Sequence, residues 1–384
     1  MALTFQPLKQ TPPPVRNRSP RPQRFAFEHE HLILSEPQFV AAVSRERRRT
    51  ERSGKPFLLM LLELPERIED RDIDFEKKIT SALVALSRET DVVGWYQEKL
   101  ALGVIFTELG DTDQGTVLKS VQQRVKASIA DCLDGAHGNG IHISFHLYPE
   151  GNKSDERSAD LHLYPEFERR TGAKKAALSA KRALDVVVSG SALLLLSPLL
   201  TIIAVAIKLT SKGPVVFRQA RVGQYGKPFT FLKFRSMYVN NDPSIHKEYV
   251  TKLITGKTAS NHDGAKVYKI TNDPRITPLG RFLRKTSLDE LPQLINVLLG
   301  EMSLIGPRPP VPYEFETYDI WHRRRVLEIK PGITGLWQVN GRSRTSFDDM
   351  VRLDLQYAKA WSLWLDLKIL VQTPGAVFSG DGAY

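Results

Sequence analysis

The sequence contains a single cysteine, Cys132, among 384 residues, which excludes an internal disulfide and fits a reducing compartment. Residues 1–30 lack the apolar core of a secretory signal peptide and are rich in proline and arginine, so we predict a disordered basic tail. No zinc-finger, recognition-helix or RNA-binding motif is present, so no nucleic acid partner is expected. The net charge of +11 instead favours anionic phospholipid membranes or phosphorylated substrates as partners.

One long apolar run occupies residues 184–209. It has about the length of a membrane-spanning helix, but Ser197 and Pro198 interrupt it. Proline removes a helical hydrogen bond and the serine hydroxyl can satisfy a freed carbonyl, so a sharp bend within the membrane is feasible. Cations flank both ends of the run, at Lys174, Lys175, Lys181, Arg182, Lys208 and Lys212. Because positive charge favours the cytoplasmic side, we predict a re-entrant helix, with a kinked spanning helix as the alternative.

Residues 31–150 alternate between helical and strand patterns, which predicts an α/β chain that begins with a ferredoxin-like α/β sandwich. The predicted helices cover residues 37–52, 75–88 and 114–132, and the predicted strands cover 57–64, 92–96, 100–106 and 141–147. His142 and His146 have the spacing of a zinc-binding helix, but they fall in a predicted strand and are interpreted as ordinary strand residues. Residues 151–177 are polar and are predicted to link this domain to a second one, residues 178–384.

The first domain resembles a GGDEF diguanylate cyclase domain that has lost its signature. Residues 97–101 read Gln-Glu-Lys-Leu-Ala where the motif would stand, without glycines that let phosphates approach the backbone. Glu63 stands at the end of the first strand, where the family has a metal-binding aspartate, so cyclase activity is not expected. Arg88 and Asp91 keep the Arg-x-x-Asp form of the family's inhibitory site, which implies cyclic di-guanylate as a ligand. A surface ion pair at a helix end is the alternative.

The second domain carries several long motifs in one order, over residues 233–237, 271–275, 277–294, 303–309, 330–342 and 361–368. They resemble the bacterial sugar transferases, monotopic phosphoglycosyl transferases that load a sugar phosphate onto polyprenyl phosphate. The resemblance covers residues 181–384. It implies a mostly α-helical monotopic domain on the cytoplasmic face of the bacterial inner membrane. Strand patterns at residues 215–218 and 229–234 predict a small β-hairpin within it.

Two adjacent carboxylates, Asp289 and Glu290, precede Pro292, which suits the first turn of a helix that would end at Gly300. Amide dipoles at a helix N-terminus favour anions there, and arginines lie nearby in the sequence. This combination indicates a phosphate site that also holds a metal. A capping box from Ser287 to Glu290 is the alternative, although Pro292 would then lie too deep in the helix.

The resemblance assigns the chemistry. It implies that Asp289 attacks the sugar-bearing phosphorus of a UDP-sugar, releases UMP and forms an aspartyl-phosphosugar that polyprenyl phosphate then attacks. Asp289 and Glu290 are the expected ligands of the cofactor Mg²⁺, and Glu290 is the catalytic partner of Asp289. The expected phosphate and substrate contacts are Lys233, Arg235, Arg284, Arg308, Gln338, Asn340 and Arg342.

Residues 346–373 form a second candidate membrane element, a helical stretch with tryptophans beside cations, which Pro374 is expected to end. A core-facing amphipathic helix is the alternative. The preferred function is thus a transferase for exopolysaccharide or glycoconjugate synthesis, and the sequence is compatible with a homo-oligomer. The rival from another class is a non-catalytic membrane receptor for cyclic di-guanylate, which the intact Asp289–Glu290 pair disfavours. A soluble phosphohydrolase is opposed by the apolar run.

Overall fold

A computed structural model of the chain describes residues 33–64, 73–109, 114–133, 141–150, 159–168, 172–239, 275–340 and 346–378, with single residues at 248, 251 and 254. The predicted basic tail and residues 151–158 and 169–171 of the predicted linker lie outside these ranges. So do Arg342 and residues 271–274 of one motif.

The N-terminal domain is a five-stranded sheet with three helices. The strands are β1 (Ile33–Leu34), β2 (Phe57–Glu63), β3 (Val92–Gln97), β4 (Ala101–Phe106) and β5 (His142–Tyr148), and the helices are α1 (Glu36–Ser53), α2 (Ile73–Leu86) and α3 (Gln114–Leu133). The sheet order is β1-β3-β4-β2-β5. β2 is antiparallel to both β4 and β5, and only β1 runs parallel to its neighbour. Strands β2 to β5 with α2 and α3 therefore have the predicted ferredoxin-like topology.

Both faces of this sheet are covered. Strand β2 is accordingly a continuous apolar run whose residues are buried on both sides. Alternate β2 residues such as Met60 pack against α2 and α3, with Ile79 and Val125 in the same cluster. The other β2 residues face α1 and a segment of the second domain, where Leu61, Phe39 and Leu327 share one cluster. The second domain thus completes the core of the first.

The rest of the chain is mostly helical. Its helices are α4 (Pro165–Glu168), α5 (Gly172–Leu195), α6 (Ser197–Thr210), α7 (Pro278–Lys285), α8 (Gln293–Leu299), α9 (Pro312–Thr317), α10 (Ile320–Glu328), α11 (Leu336–Asn340), α12 (Phe347–Ala360) and α13 (Leu363–Phe378). Short 3₁₀ turns occur at Leu161–Leu163, Gln224–Gly226 and Leu288–Glu290. β6 (Val216–Val222) and β7 (Pro228–Phe234) form the predicted antiparallel hairpin. A parallel pair, β8 (Ser303–Ile305) and β9 (Gly332–Thr334), was not predicted.

The apolar run forms two helices, α5 and α6, that break at Leu196 and enclose a bend of 62°. The Ser197 hydroxyl donates to the Leu194 carbonyl at 2.8 Å, which compensates for part of the broken helical hydrogen bonding. Within the described ranges no single helix is long and apolar enough to cross a membrane, while this bent pair is, by length and composition. Leu195 and Leu209 are 78% and 81% exposed.

Two of the flanking cations have structural roles that the sequence did not reveal. Lys181 is buried and its ammonium lies 2.6 Å from Asp366 Oδ2 on α13. Arg182 donates to the carbonyls of Val297 and Leu298, at 2.6 and 2.8 Å, where α8 ends. These two cations therefore fix α5 to the rest of the domain and are not part of a lipid-facing basic flank. Lys174, Lys175, Lys208 and Lys212 are exposed.

The predicted C-terminal helix is two helices, α12 and α13, joined at Trp361 and Ser362. Buried Asp366 accepts hydrogen bonds from Tyr357 at 2.5 Å and from the Trp361 indole at 3.1 Å, so this anion ties the two helices together across the break. The expectation that Pro374 ends the helix is wrong, because α13 continues to Phe378. Proline removes one amide, and the Thr373 hydroxyl adds a bond to the Ile369 carbonyl at 2.7 Å beside it.

Candidate active site

Asp289 and Glu290 lie on the one-turn 3₁₀ helix that precedes α8. Asp289 is 5% exposed and Glu290 is partly buried. Ser287 has φ of 56°, an uncommon conformation for a residue with a side chain, and makes no capping bond through its hydroxyl. The alternative capping box is therefore absent. The helix after Pro292 ends before Gly300, as predicted, but the carboxylates form their own turn ahead of it.

Lys233 is the cation on β7 that interacts with Asp289. Burial lowers the pKa of Lys233 to about 8, while the negative charge of Asp289 acts to raise that pKa. The positive charges of Arg284, Arg221 and Arg308 act with burial to lower it. One buried carboxylate and four cations thus share a single site, which includes the predicted contacts Lys233, Arg284 and Arg308.

Arg284 is positioned by helix α7. The Thr277 hydroxyl caps this helix by accepting from the Gly280 amide at 2.9 Å. A side chain at Gly280 would lie 2.0 Å from the Ser236 carbonyl oxygen, so only glycine allows the helix to approach the end of β7 this closely. Arg284 follows one turn later, in the last turn of α7.

Arg308 stands on the loop after β8, which packs tightly against its surroundings. A Cβ at Gly306 would lie 2.2 Å from the Lys330 carbonyl oxygen, which explains the glycine before Pro307. Behind this loop, the buried Arg325 donates to the Arg308 carbonyl at 3.2 Å and pairs with Asp354 at 2.7 Å. The backbone that carries Arg308 is therefore anchored to α10 and α12.

Two residues of the site were missed by sequence reasoning. Arg221 on β6 donates to the Pro309 carbonyl at 2.8 Å and stacks 5.1 Å from the Phe231 ring centroid. The pKa of Tyr313 is raised to about 12 by burial and by Glu314, and Arg221 and Arg308 oppose that shift. No motif or periodicity in the sequence indicates either residue.

Arg235, a predicted phosphate contact, is bound to the end of helix α6. Its guanidinium is buried and donates to the carbonyl and hydroxyl oxygens of Ser211, both at 2.7 Å. Ser211 is the C-cap of α6, and a cation there satisfies free carbonyls and complements the helix dipole. These contacts hold the apolar helix against the hairpin through one guanidinium nitrogen, and the role of Arg235 as a phosphate contact stays a prediction.

The other predicted substrate contacts lie around α11. The Gln338 carbonyl oxygen is buried and has no hydrogen-bond partner among the described residues, and Asn340 is exposed. Arg342 lies outside the described part of the chain, so its assignment remains a prediction.

Arg88 and Asp91, the predicted cyclic dinucleotide contacts, lie in the turn between α2 and β3. The Asp91 carboxylate accepts from the Arg88 amide at 2.9 Å and from the Thr107 amide at 3.0 Å. Both of its oxygens thus stabilise the local turn, while the Arg88 side chain is exposed. Nucleotide binding here stays a prediction.

A buried carboxylate surrounded by cations is suited to a phosphorylated substrate, because the cations neutralise phosphate oxygens and hold them in place. The two neighbouring carboxylates also offer the hard oxygen ligands that Mg²⁺ prefers, and they fit that ion when phosphate oxygens complete its shell. The site thus combines a buried carboxylate, four cations and an adjoining apolar helix pair.

The chain belongs to the bacterial sugar transferase family, whose model matches residues 176–380. Over 236 residues it is 40% identical to the exopolysaccharide production protein ExoY of Rhizobium meliloti, covering 60% of this chain and all of that protein. Over 215 residues it is 45% identical to an undecaprenyl-phosphate galactose phosphotransferase of Salmonella typhimurium. Over 217 residues it is 44% identical to a UDP-glucose:undecaprenyl-phosphate glucose-1-phosphate transferase of Escherichia coli.

The matches to the Salmonella and Escherichia proteins cover 55% and 53% of this chain. The chain spans less than half the length of those two relatives, 43% and 41%. Among solved structures, diguanylate cyclase SiaD of Pseudomonas aeruginosa matches 39% of this chain and 56% of its own, at 18% identity and a TM-score of 0.25. A likeness of that size carries no argument about the first domain's activity.

Proposed function

We propose that this protein transfers a sugar 1-phosphate from a UDP-sugar to polyprenyl phosphate, with undecaprenyl phosphate as the lipid, at the cytoplasmic face of the bacterial inner membrane. This would be the first membrane step of exopolysaccharide or glycoconjugate synthesis. The observation that carries the proposal is a buried carboxylate, Asp289, that interacts with Lys233 in a site whose charges also include three arginines, within a chain of the sugar transferase family. The same assembled site disfavours the alternative of a non-catalytic cyclic di-guanylate receptor.

The reaction proceeds in two displacements at one phosphorus. A carboxylate oxygen of Asp289 attacks the sugar-bearing phosphorus, and the bond from that phosphorus to the bridging oxygen breaks, so UMP leaves with the electron pair. A phosphate oxygen of the lipid then attacks the same phosphorus, which releases the Asp289 carboxylate and forms the polyprenyl diphosphate sugar. The two-step route lets a soluble donor and a lipid acceptor use one site in turn.

Four cations, Lys233, Arg284, Arg308 and Arg221, would neutralise the diphosphate and hold it in line with the attacking carboxylate. Their fixed positions matter because preorganised charges stabilise the transition state without reorganisation during the reaction. Asp289 and Glu290 are the residues that would hold Mg²⁺, which when bound offsets the repulsion between a carboxylate and a diphosphate and stabilises the leaving group.

The lipid acceptor would reach the site along the bent helix pair. Ile203 and Ile207 of α6 share a buried cluster with Phe234 and Leu283, the chain neighbours of Lys233 and Arg284. The elements that carry two phosphate contacts are thus packed directly on the apolar helix. We propose that α5 and α6 enter and leave the membrane on the cytoplasmic side, which would place the lipid phosphate at the level of Asp289.

The test is release of UMP by purified protein in detergent, with a panel of UDP-sugars, undecaprenyl phosphate and Mg²⁺. We expect release with at least one sugar, and none with Asp289→Asn, because an amide cannot form the acyl phosphate. Glu316→Gln is the matched control, since it removes an exposed carboxylate on α9 and should leave turnover unchanged. Substantial turnover by folded Asp289→Asn would contradict the proposal.

A further inference from the structure

A cluster of two histidines and one aspartate lies where the first domain meets the chain that leads to the second. His146 on β5 is buried, with Nδ1 2.5 Å from Asp160 Oδ2. His162 follows on the 3₁₀ turn, with Nδ1 3.1 Å from Asp160 Oδ1. One donor atom from each residue falls within 4.8 Å of the others.

We infer that His146, Asp160 and His162 bind one divalent transition metal ion, with Zn²⁺ the best match to the donor set. Two imidazoles and one carboxylate are typical zinc ligands, and three protein ligands leave a fourth position for water. The inference concerns the linker region and is independent of the proposed transferase reaction.

The distances between the ligand atoms fit a zinc site whose metal-free form is held together by hydrogen bonds. Donor atoms on one tetrahedral Zn²⁺ lie about 3.3 Å apart, given bonds of about 2.0–2.1 Å. The 3.1 Å separation of His162 and Asp160 is already close to that value, and the 2.5 Å separation of His146 and Asp160 must widen. The His162 side chain is 44% exposed, so the open side of the cluster can make that adjustment and admit the ion.

Neighbouring polar groups orient the three proposed ligand residues through hydrogen bonds. The Ser144 hydroxyl lies 2.7 Å from His146 Nε2, which leaves Nδ1 as the atom that faces Asp160. Glu150 accepts from the Asp160 amide at 2.9 Å, and the Tyr96 hydroxyl donates to the His162 carbonyl at 3.1 Å. Such outer hydrogen bonds fix ring orientation and tautomer in metal sites.

Bound metal would join the edge strand of the first domain to the linker that leads to the second. The Ala159 amide, next to Asp160, donates to the Tyr225 carbonyl at 2.7 Å, on the turn that closes the β6–β7 hairpin. The ion would therefore stabilise the docking of the two domains as well as the local turn.

The experiment uses the full chain in detergent, stripped with a chelator and titrated with Zn²⁺ against a chromophoric competitor, with Mg²⁺ in excess to occupy carboxylate sites. We expect one Zn²⁺ per chain and a rise in melting temperature on binding. His162→Gln should weaken binding by roughly 100-fold or more, because one of three protein ligands is lost. Co²⁺ in place of Zn²⁺ should give the visible absorption of a tetrahedral site.

His142→Gln is the matched control, because His142 lies on the same strand, its side chain is 72% exposed and it is outside the cluster. This variant should bind Zn²⁺ like the parent. His162→Gln alters a partly exposed side chain, so it should fold even where a change at buried His146 does not. Absence of Zn²⁺ binding by the parent, or equal affinity in His162→Gln and the parent, would overturn the inference. The three residues would then form a hydrogen-bonded cluster without a metal.

Discussion

Substitutions in the buried ion pair between Arg325 and Asp354 can distinguish its effect on protein stability from its effect on the position of Arg308. The two side chains are 2% and 1% exposed and lie 2.7 Å apart. Arg325 also donates to the Tyr318 hydroxyl and to the Arg308 carbonyl, each at 3.2 Å. Asp354→Asn leaves this guanidinium buried without its counter-ion, while its contact with Arg308 stays possible.

Removing one partner of a buried pair costs about 3–5 kcal/mol, because the remaining charge stays desolvated. For a domain of roughly 200 residues this corresponds to a fall in melting temperature on the order of 10 °C. The double change Arg325→Met with Asp354→Leu removes both charges and keeps the volume apolar, so most of the loss should be recovered. Tryptophan fluorescence during heating in detergent measures these shifts.

Activity should behave differently from stability in this series. The double variant regains its melting temperature but still lacks the Arg325 anchor of the Arg308 backbone. We therefore expect its kcat/KM for the UDP-sugar to stay at least about tenfold below the parent, as expected when a phosphate contact is displaced. The reasoning fails if the double variant regains full kcat/KM, or if Asp354→Asn costs less than about 1 kcal/mol, the value of an exposed pair.

Three further predictions concern the site, the membrane segment and the first domain. Because burial lowers the pKa of Lys233 to about 8, its ammonium loses its proton as pH rises through that value, so kcat/KM should fall there. Lys233→Arg should abolish this alkaline fall, since a guanidinium stays charged. Cysteines placed at Lys174 and Lys212, with the native cysteine replaced, should both react only from the cytoplasmic side, and labelling from opposite sides would indicate a spanning segment. Pro198→Ala should straighten the bend, which would appear as a larger spanning population and lower turnover. If the first domain binds cyclic di-guanylate, calorimetry on the full chain should detect heat that Arg88→Ala abolishes without changing basal turnover, and no heat with the parent would exclude the ligand.

Local patterns in the sequence were enough to predict most of the fold. The continuous apolar strand at residues 57–63 and the helical spacing at Ile79 and Leu83 depend only on neighbours in the chain, and both elements form where expected. The helix after Pro292 and the break near Pro198 follow from the fixed φ and missing amide of proline. The candidate site at Asp289 could be predicted because one motif contains both carboxylates and Arg284.

The contacts that could not be predicted join distant segments. Lys181 was assigned to a basic flank because its buried partner Asp366 is 185 residues away and leaves no local signal. The hydrogen bond from Arg235 to the end of α6 was not predicted, because no local pattern indicates which side chain satisfies a helix end. His146 lies in a strand as predicted, but strand periodicity does not reveal that Asp160 folds back onto it.

In the proposed reaction Asp289 carries the sugar phosphate, and trapping that adduct would show the covalent step directly. The full chain is mixed with Mg²⁺ and a UDP-sugar labelled in the sugar, without lipid acceptor, quenched rapidly and analysed by mass spectrometry of the peptide that contains Asp289. We predict one labelled sugar phosphate per active chain at Asp289, its discharge on addition of undecaprenyl phosphate, and no label in Asp289→Asn. Lipid product formed at the full rate while no labelled protein is detected under rapid quench would contradict the account.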